Sequence, residues 1–212
     1  MATDDGRLQI TRNGGDSWVD VTPRNLKGAQ INAIEVSPHE PGVAYIAVAG
    51  YKMNDFKPYI YKLTDFGKRW MRLDSDLPDD NFVRVVRADP EREGLLYAGS
   101  EGGLFVSFDD GDHWQSLNMN FPTVPITDLR VRQNTLIAAT QGRGFWALDE
   151  LTVIRQLNVN LSEKKLHVFK PKPSSLMRWG GRTAANEGKN PPSGVVFSYF
   201  LAEDFELSLI HI

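Results

Sequence analysis

The sequence contains no cysteine, which excludes disulfides, thiolate metal sites and a cysteine nucleophile. It also lacks any run close to the roughly 18 apolar residues that a membrane-spanning helix needs. The N-terminal segment MATDDGRLQI lacks the basic and then apolar pattern of a signal peptide, so any export signal is expected upstream of this chain. The missing cysteines do not decide the compartment, which stays open at this point.

An excess of positive charge is absent as well. The chain has 24 Lys and Arg against 27 Asp and Glu, a net charge of −3, so we expect no nucleic-acid partner. The histidines, at positions 39, 113, 167 and 211, show no pair with metal-ligand spacing, and we expect neither a metal nor a cofactor. With 41% hydrophobic and 24% charged residues over 212 positions, the composition is that of an ordinary soluble globular protein.

What the sequence does contain is a repeat. The segments TRNGGDSW, LTDFGKRW and SFDDGDHW fit the pattern Ser/Thr-x-Asp/Asn-x-Gly-x-x-Trp, except that Leu63 occupies the first position of the second segment. The matching residues are Thr11, Asn13, Gly15, Trp18, Asp65, Gly67, Trp70, Ser107, Asp109, Gly111 and Trp114. The step from Asn13 to Asp65 is 52 residues, from Asp65 to Asp109 it is 44, and from Asp109 to Asp149 it is 40. Such periods are typical of solenoids and propellers.

Short apolar segments precede each copy of the motif. They are rich in β-branched and aromatic residues and are bounded by Gly, Pro, Asn and Asp, which predicts an antiparallel meander. In the first whole repeat the predicted strands are 31–37, 43–49, 59–64 and 69–73, so the motif lies on the hairpin between the third and fourth strands. Repeats of about 40 residues with four strands indicate propeller blades. We therefore predict an all-β partial propeller of about fourteen strands, with almost no helix and with the three motif tryptophans packed in equivalent places, at related depths.

The motif itself is interpreted as a turn. The Asp109 carboxylate is expected to accept backbone N–H groups, Gly111 to adopt a positive φ, and Trp114 to pack beneath the hairpin. A calcium site on Asp109, Asp110 and Asp112 is the alternative, but it requires six to eight oxygen ligands and one tight turn offers too few. These carboxylates are therefore predicted to be structural.

The motif resembles the Asp box, or BNR repeat, of sialidases, of endoglucanase- and xyloglucanase-type glycoside hydrolases, and of sortilin-like (VPS10-type) propellers. More closely, the segments TDDGRLQITRNGG, AGYKMNDFKPYIYKLTDFGKRW and TQGRGFWALDELTVIRQL resemble the last blades of bacterial sortilin-like propellers labelled glycosyl hydrolases by similarity. The resemblance covers roughly residues 2–157. It implies an exported protein, periplasmic, cell-surface or extracellular, whose upstream blades belong to the same full-length chain.

The resemblance and the composition together divide the chain. Residues 1–157 are expected to be C-terminal propeller blades, and residues 158–193, rich in Pro, Lys and Gly, a linker. The segment NPPSGVVFSYFL ends within residues 194–206. These residues resemble the first strand of a truncated β-sandwich module. The last segment, 207–212, matches the translation of a sequencing-library adapter, and we expect it to be an artefact.

Candidate binding residues lie on the face opposite the motif hairpins, since alternate turns of a meander point to alternate faces. The insertion YKMNDFKP lengthens one connection by about eight residues on a rigid scaffold, where binding often resides. The ligand-binding candidates are Tyr51, Lys52, Asn54, Asp55, Lys57, Glu101, Gln141 and Arg143. Further groups expected on this face are Asp4, Asp5, Arg7, Asp74, Asp76, Asp79 and Asp80. Asp4 and Asp5 are also explained as turn residues before Gly6, and residues 76–81 as a solvated turn.

Two functions remain open from the sequence. The first is a noncatalytic, sortilin-like propeller that binds or scaffolds a protein, peptide or glycan through this face. The second is a glycoside hydrolase, sialidase-like or endoglucanase- and xyloglucanase-like, which requires two carboxylates about 5–9.5 Å apart. No catalytic residue is assigned, and this chain alone is expected to be inactive because a propeller site collects groups from several blades.

Overall fold

The computed structural model describes residues 1–23, 26, 29–158, 161, 163–174 and 194–202. The chain divides into two compact units, Met1–Asp149 and Glu150–Ile212. The strands of the first unit are β1 (Gln9–Ile10), β2 (Val19–Asp20), β3 (Gln30–Val36), β4 (Ala44–Gly50), β5 (Asp55–Thr64), β6 (Arg69–Arg72), β7 (Val83–Ala88), β8 (Leu96–Ser100), β9 (Leu104–Ser107), β10 (Gln115–Ser116), β11 (Ile126–Arg132), β12 (Thr135–Thr140) and β13 (Phe145–Leu148).

The first unit is a series of antiparallel meanders. A β1–β2 hairpin is followed by two four-stranded sheets, β3–β6 and β7–β10, and by the three-stranded sheet β11–β13; the three sheets are called here the first, second and third blades. In each blade the pairing of the first two strands shifts at the same place, between Ile31 and Ala33, Val83 and Val85, and Ile126 and Asp128. The prediction of an all-β partial propeller built from four-stranded antiparallel blades is confirmed.

The core lies between blades, and this explains the near-continuous apolar character of the second strands. All seven residues of β4 are buried. Tyr45 and Ala47 belong to an apolar cluster shared with the second blade, whereas Ile46 and Val48 belong to one shared with Leu8 of the N-terminal segment. Because successive side chains of a strand point to opposite faces, β4 is covered on both sides.

The hairpin between β9 and β10 has the predicted turn chemistry. The Asp109 carboxylate accepts the backbone N–H of His113 at 2.9 Å, and the Ser107 hydroxyl accepts that of Gly111 at 2.8 Å. Ser107 also donates its hydroxyl to Asp109 at 2.9 Å. Gly111 has φ 95°, a conformation that other residues resist. Side chains thus satisfy the turn's backbone donors.

The β1–β2 hairpin repeats this pattern and the β5–β6 hairpin does not. Thr11 accepts the N–H of Gly15 at 2.9 Å, and Asn13 accepts that of Ser17 at 3.0 Å. In the β5–β6 turn, Asp65 has φ 51° and pairs with Arg69 at 3.3 Å. Leu63 stands at the position of the hydroxyl there, and the turn is a 3₁₀ segment, Asp65–Gly67. The missing hydroxyl accounts for the different hydrogen bonding.

We expect Asp109→Ala to lower the free energy of unfolding by about 0.5–2 kcal/mol, the usual effect of losing a capping carboxylate. The neighbouring Asp112→Ala is the charge-matched control, because Asp112 is exposed on the same hairpin, and it should change stability far less. Burial raises the pKa of Asp109, but hydrogen bonds from His113 and Ser107 outweigh it and lower the pKa. The stabilisation is therefore present above the unfolded pKa and should fade as pH falls through the lowered value. Equal urea midpoints for both variants would contradict this role.

The motif tryptophans are not equally buried, so that prediction is wrong. Trp114 is 6% exposed and donates its indole N–H to the Leu73 carbonyl at 2.6 Å. Trp70 is half-buried against the cluster that contains Leu8. Trp18 is 44% exposed. Trp70 and Trp114 pack toward the preceding repeat, whereas among the described residues no sheet precedes the β1–β2 hairpin that carries Trp18.

The second unit contains helix α1 (Leu151–Gln156) and an antiparallel pair, β14 (Leu166–Val168) with β15 (Tyr199–Leu201). The Gln156 amide holds the segment after β14, since it donates to the Lys170 carbonyl at 3.0 Å and accepts its N–H at 2.9 Å. Strand β14 lies within the predicted linker, and β15 within the predicted first strand of the sandwich module. Residues 207–212, the predicted artefact, lie outside the described residues.

Candidate functional site

The face opposite the motif hairpins carries a cluster of aromatic rings. The insertion after β4 forms a 3₁₀ turn, Tyr51–Met53, which Asn54 ends in a left-handed conformation with φ 61°. This turn places the Tyr51 ring on Phe82 of the second blade, with centroids 5.0 Å apart and planes 19° apart. Phe56 lies 6.4 Å from Phe82 and is 47% exposed. Tyr51, Phe56 and Phe82 are called here the aromatic platform.

An ion pair borders the platform. Arg84, at the irregularity in β7, lies with its guanidinium 5.1 Å from the Phe82 ring centroid. It also pairs with Glu101, which follows β8. Two predicted candidates, Tyr51 and Glu101, are therefore brought to the same place through Phe82 and Arg84. Tyr51 and Glu101 are far apart in the sequence, and they belong to different blades.

A second polar chain runs from Asp55 along the first blade. Asp55 accepts the hydroxyl of Tyr59 at 2.7 Å, and the Arg72 guanidinium lies 4.7 Å from the Tyr59 ring centroid. Burial, aided by the Asp55 hydrogen bond, raises the pKa of Tyr59 to about 12, so its hydroxyl remains a donor at neutral pH. Arg72 donates through Nε to both carboxylate oxygens of Asp74, at 2.7 and 2.9 Å. Asp55 is thus held in place by its neighbours.

The acidic segment after β6 is not a uniformly solvated turn. Asp74 is 7% exposed, and burial raises its pKa despite the ion pair with Arg72. Asp76 accepts the backbone N–H of Trp114 at 3.3 Å, and Ser75 donates its hydroxyl to the Asp112 carbonyl at 3.1 Å. Asp76 therefore lies against a motif hairpin of the second blade, which corrects the prediction that it lies on the opposite face. Asp79 and Asp80 are exposed, as the turn interpretation predicts. Burial therefore distinguishes Asp74 from the exposed residues Asp79 and Asp80 of the predicted turn.

The remaining candidates are dispersed. Lys52, Asn54 and Lys57 are exposed around the insertion. Gln141 and Arg143 lie on the β12–β13 connection of the third blade, where both are exposed and their backbone N–H groups bond to Pro125 and Thr140. Near the N-terminus Asp4 is exposed, and Asp5 pairs with Arg7 at 3.5 Å. The site residues that the structure brings together are those near the platform.

Sequence reasoning missed Phe56, Phe82 and Arg84. Phe82 and Arg84 fall at the start of a predicted strand, and Phe82 was indistinguishable there from a core residue. The available signal was the aromatic and basic pair in FVRVV, directly after an acidic turn. Only the packing of neighbouring blades shows that Phe82 meets Tyr51.

A polar cluster on the motif-hairpin face joins the first two blades. The Asp110 carboxylate accepts the Tyr45 hydroxyl at 2.5 Å and pairs with the Lys62 ammonium. Burial and the Asp110 contact raise the pKa of Tyr45. Beside these groups lies a cleft of about 320 Å³ whose lining includes His39 and Arg92. Tyr45, Lys62 and Asp110 are called here the inter-blade clamp.

Among the described residues, no group of three or more His, Asp or Glu is arranged to hold a metal ion. Within the same residues, no helix has the length and apolar character needed to cross a membrane.

Comparisons with known proteins agree on the fold. No family model matches the chain. The oligoxyloglucan-reducing end-specific xyloglucanase of Emericella nidulans is 27% identical over 100 residues, which are 46% of this chain and 12% of that protein. The chain therefore spans only a small part of the curated relative that it matches.

Solved propellers superpose on most of the chain. The GH74 xyloglucanase of Xanthomonas campestris has a TM-score of 0.54 at 20% identity, over 71% of this chain and 25% of that one. The GH74 enzyme of Niastella koreensis has a TM-score of 0.54 at 20% identity, over 70% and 26%. YCF48 bound to D1 peptide has a TM-score of 0.51 at 19% identity, over 70% and 45%. At these identities the likeness shows a shared propeller fold.

Proposed function

We propose that the aromatic platform and its bordering polar groups bind a glycan without catalysis, as part of a larger propeller. The observation that carries this proposal is the stacking of Tyr51 on Phe82 across two blades, next to the exposed Phe56. Sugar rings present apolar C–H faces that pack on aromatic rings, and their hydroxyls take hydrogen bonds from fixed polar groups. A β-glucan of the xyloglucan type is the ligand class, because the curated relative is named for that substrate.

The polar groups around the platform suit a neutral ligand. Arg84 and Glu101 pair with one another, and Asp55 accepts a hydrogen bond from Tyr59, so both carboxylates at the border of the platform already have partners. Aromatic rings beside carboxylates that are already paired favour hydroxyl-rich ligands over cations. Lys52, Asn54 and Lys57 surround the platform with exposed donors for such hydroxyls.

The proposal predicts that Tyr51→Ala and Phe56→Ala each weaken binding of xyloglucan oligosaccharides by about tenfold, the equivalent of one lost stacking contact. Isothermal titration calorimetry on the whole chain measures this, with cellohexaose and an acidic peptide titrated in parallel. Trp18→Ala is the matched control, since Trp18 is an exposed aromatic on a motif hairpin. A control loss equal to that of Tyr51→Ala, or tighter binding of the peptide, would contradict glycan recognition at the platform.

Hydrolysis is the second candidate, and the xyloglucanase relative favours it. Asp55 and Glu101, the candidate carboxylates at the border of the platform, would have to act as the pair that glycoside hydrolysis requires. Each is already engaged, Asp55 with Tyr59 and Glu101 with Arg84, which favours the noncatalytic function for this chain. Reducing-sugar release from xyloglucan should be absent. Turnover that Asp55→Asn or Glu101→Gln abolishes would establish the enzyme instead.

The remaining assignments follow from the same proposal. We assign the chain to the sortilin-like, Asp-box type of propeller because Ser107 and Asp109 both accept backbone N–H groups within their turn. A glycan-binding propeller of this type is expected to act outside the cytoplasm and to include further blades upstream. The pairing of β14 with β15 supports a separate module after the propeller.

A further inference from the structure

The slot that holds Trp114 is a defined apolar site between the first and second blades. Its walls belong to one cluster of buried residues, namely Leu73, Leu77, Leu96, Ala98 and Phe105, in which Trp114 itself is included. The Leu73 carbonyl accepts the indole N–H at 2.6 Å. The site therefore recognises an indole by shape and by one hydrogen bond.

The strand registers identify the equivalent residues one blade later. In the second blade Leu96 faces Ser107 and Ala98 faces Phe105, whereas in the third blade Leu136 faces Leu148 and Ala138 faces Trp146. The loop residues correspond as well. Leu73 and Leu117 each donate their N–H to the third strand of their blade, at 2.9 and 2.8 Å. Leu77 donates its N–H to the Asp74 carbonyl, three residues earlier in the chain. Phe121 donates its N–H to the Asn118 carbonyl at the same spacing.

All five equivalent residues line one open cleft between the second and third blades. Its lining includes Leu117, Phe121, Leu136, Ala138 and Trp146. Trp146 forms a wall of this cleft and does not fill it, because its ring packs edge-on against Phe121 at 5.2 Å and its N–H is donated to the Arg143 carbonyl. The cleft therefore repeats the walls of the Trp114 slot without its indole.

The hydrogen-bond acceptor of the slot is also repeated. Among the hydrogen bonds of the described residues, none uses the Leu117 carbonyl, the counterpart of the Leu73 carbonyl. In the second blade the indole is carried by the residue before β10, the strand that pairs with β9. The third blade's sheet ends at β13, the counterpart of β9, and no described residue after Trp146 is a tryptophan.

We propose that this cleft binds an indole, and that its occupant is a tryptophan side chain presented by an extended segment of a partner polypeptide. Walls that repeat those of the Trp114 slot, and a carbonyl at the position of the one that accepts the Trp114 N–H, favour an indole over phenyl or aliphatic groups. The site is separate from the aromatic platform and does not depend on glycan binding.

The probe is N-acetyl-5-fluorotryptophan amide, titrated into the whole chain and followed by fluorine NMR. We expect saturable binding with a dissociation constant of about 1 mM, typical of so small a ligand. The 3-benzothienylalanine amide, which has the same shape without the N–H, should bind several-fold more weakly because it leaves the carbonyl unpaired. Ala138→Leu and Ala147→Leu, which narrow the cleft, should each weaken binding at least about tenfold.

Phe56→Ala is the control, because it removes an aromatic of the platform and should leave indole binding unchanged. Absence of saturation, or unchanged affinity in both cleft variants when their melting temperatures match the wild type, would overturn the proposal. Every titration is repeated with Trp179→Leu, since Trp179 lies outside the described residues. Binding seen only in that variant would overturn the partner as occupant, because the chain's own side chain would then fill the cleft.

Discussion

Trp114→Ala is expected to lower the free energy of unfolding by about 3–5 kcal/mol, the range observed when a large buried aromatic is removed from a core. Trp114 is 6% exposed, and its indole links the two blades through the Leu73 carbonyl. The substitution opens a cavity between blades and leaves that carbonyl without its donor. Since single domains are stable by only about 5–15 kcal/mol, the loss is a large share of the total.

Trp18→Ala provides the matched control for Trp114→Ala. Trp18 occupies the same motif position but is 44% exposed, so its removal should cost less than about 1 kcal/mol. Urea unfolding followed by circular dichroism measures both values, and Trp114→Phe tests how much the indole N–H contributes. Similar losses for Trp114→Ala and Trp18→Ala would show that the hairpin alone, and not the inter-blade slot, determines the effect.

Asp110→Ala is expected to cost about 2–3 kcal/mol, because it removes the central member of the inter-blade clamp. Lys62 has a side chain only 12% exposed, and Tyr45 is 4% exposed, so both lose their partner at largely buried positions. Asp110 itself is 36% exposed, and the cleft beside it admits water, which keeps the expected loss below that of a fully buried pair.

Two substitutions at Asp110 distinguish the loss of its side chain from backbone strain. Asp110 has φ 62°, a left-handed conformation in which glycine is relaxed and alanine is not. Asp110→Gly should therefore be less destabilising than Asp110→Ala, by about 0.5–1 kcal/mol. Asp110→Asn keeps the turn geometry and a hydrogen-bond acceptor while it removes the charge, and should fall between the wild type and Asp110→Ala. Equal stability of the wild type and Asp110→Ala would show that the clamp contributes nothing.

The features that the sequence predicted well are those that depend on residues close together in the chain. The alternation of apolar segments and turn residues indicated four-stranded meanders, and the motif around Asp109 predicted a turn with side-chain acceptors. Both depend on hydrogen bonds that span a few residues, such as those from His113 to Asp109 and from Gly111 to Ser107. The motif copy whose turn differs is the copy in which Leu63 stands at the position of the hydroxyl.

The candidate site was predicted in part. The insertion that carries Tyr51 and Asp55, and the connection that carries Glu101, were identified as positions on one face. Their association through Phe82 and Arg84 was not, because those two side chains begin a strand and act across a blade boundary. A loop position can be inferred from local pattern, whereas a contact between loops requires the packing of two sheets.

The sequence by itself determined the repeat, the strand order within a blade and the motif turns, because each follows from periodicity and from local hydrogen bonding. Only the tertiary structure decided which repeats are fully packed, since the burial of Trp18, Trp70 and Trp114 depends on the blade that precedes each one. It also decided the partners of Asp110, which lie 48 and 65 residues away. Contacts at such separations form only when neighbouring blades dock, and no local pattern encodes them.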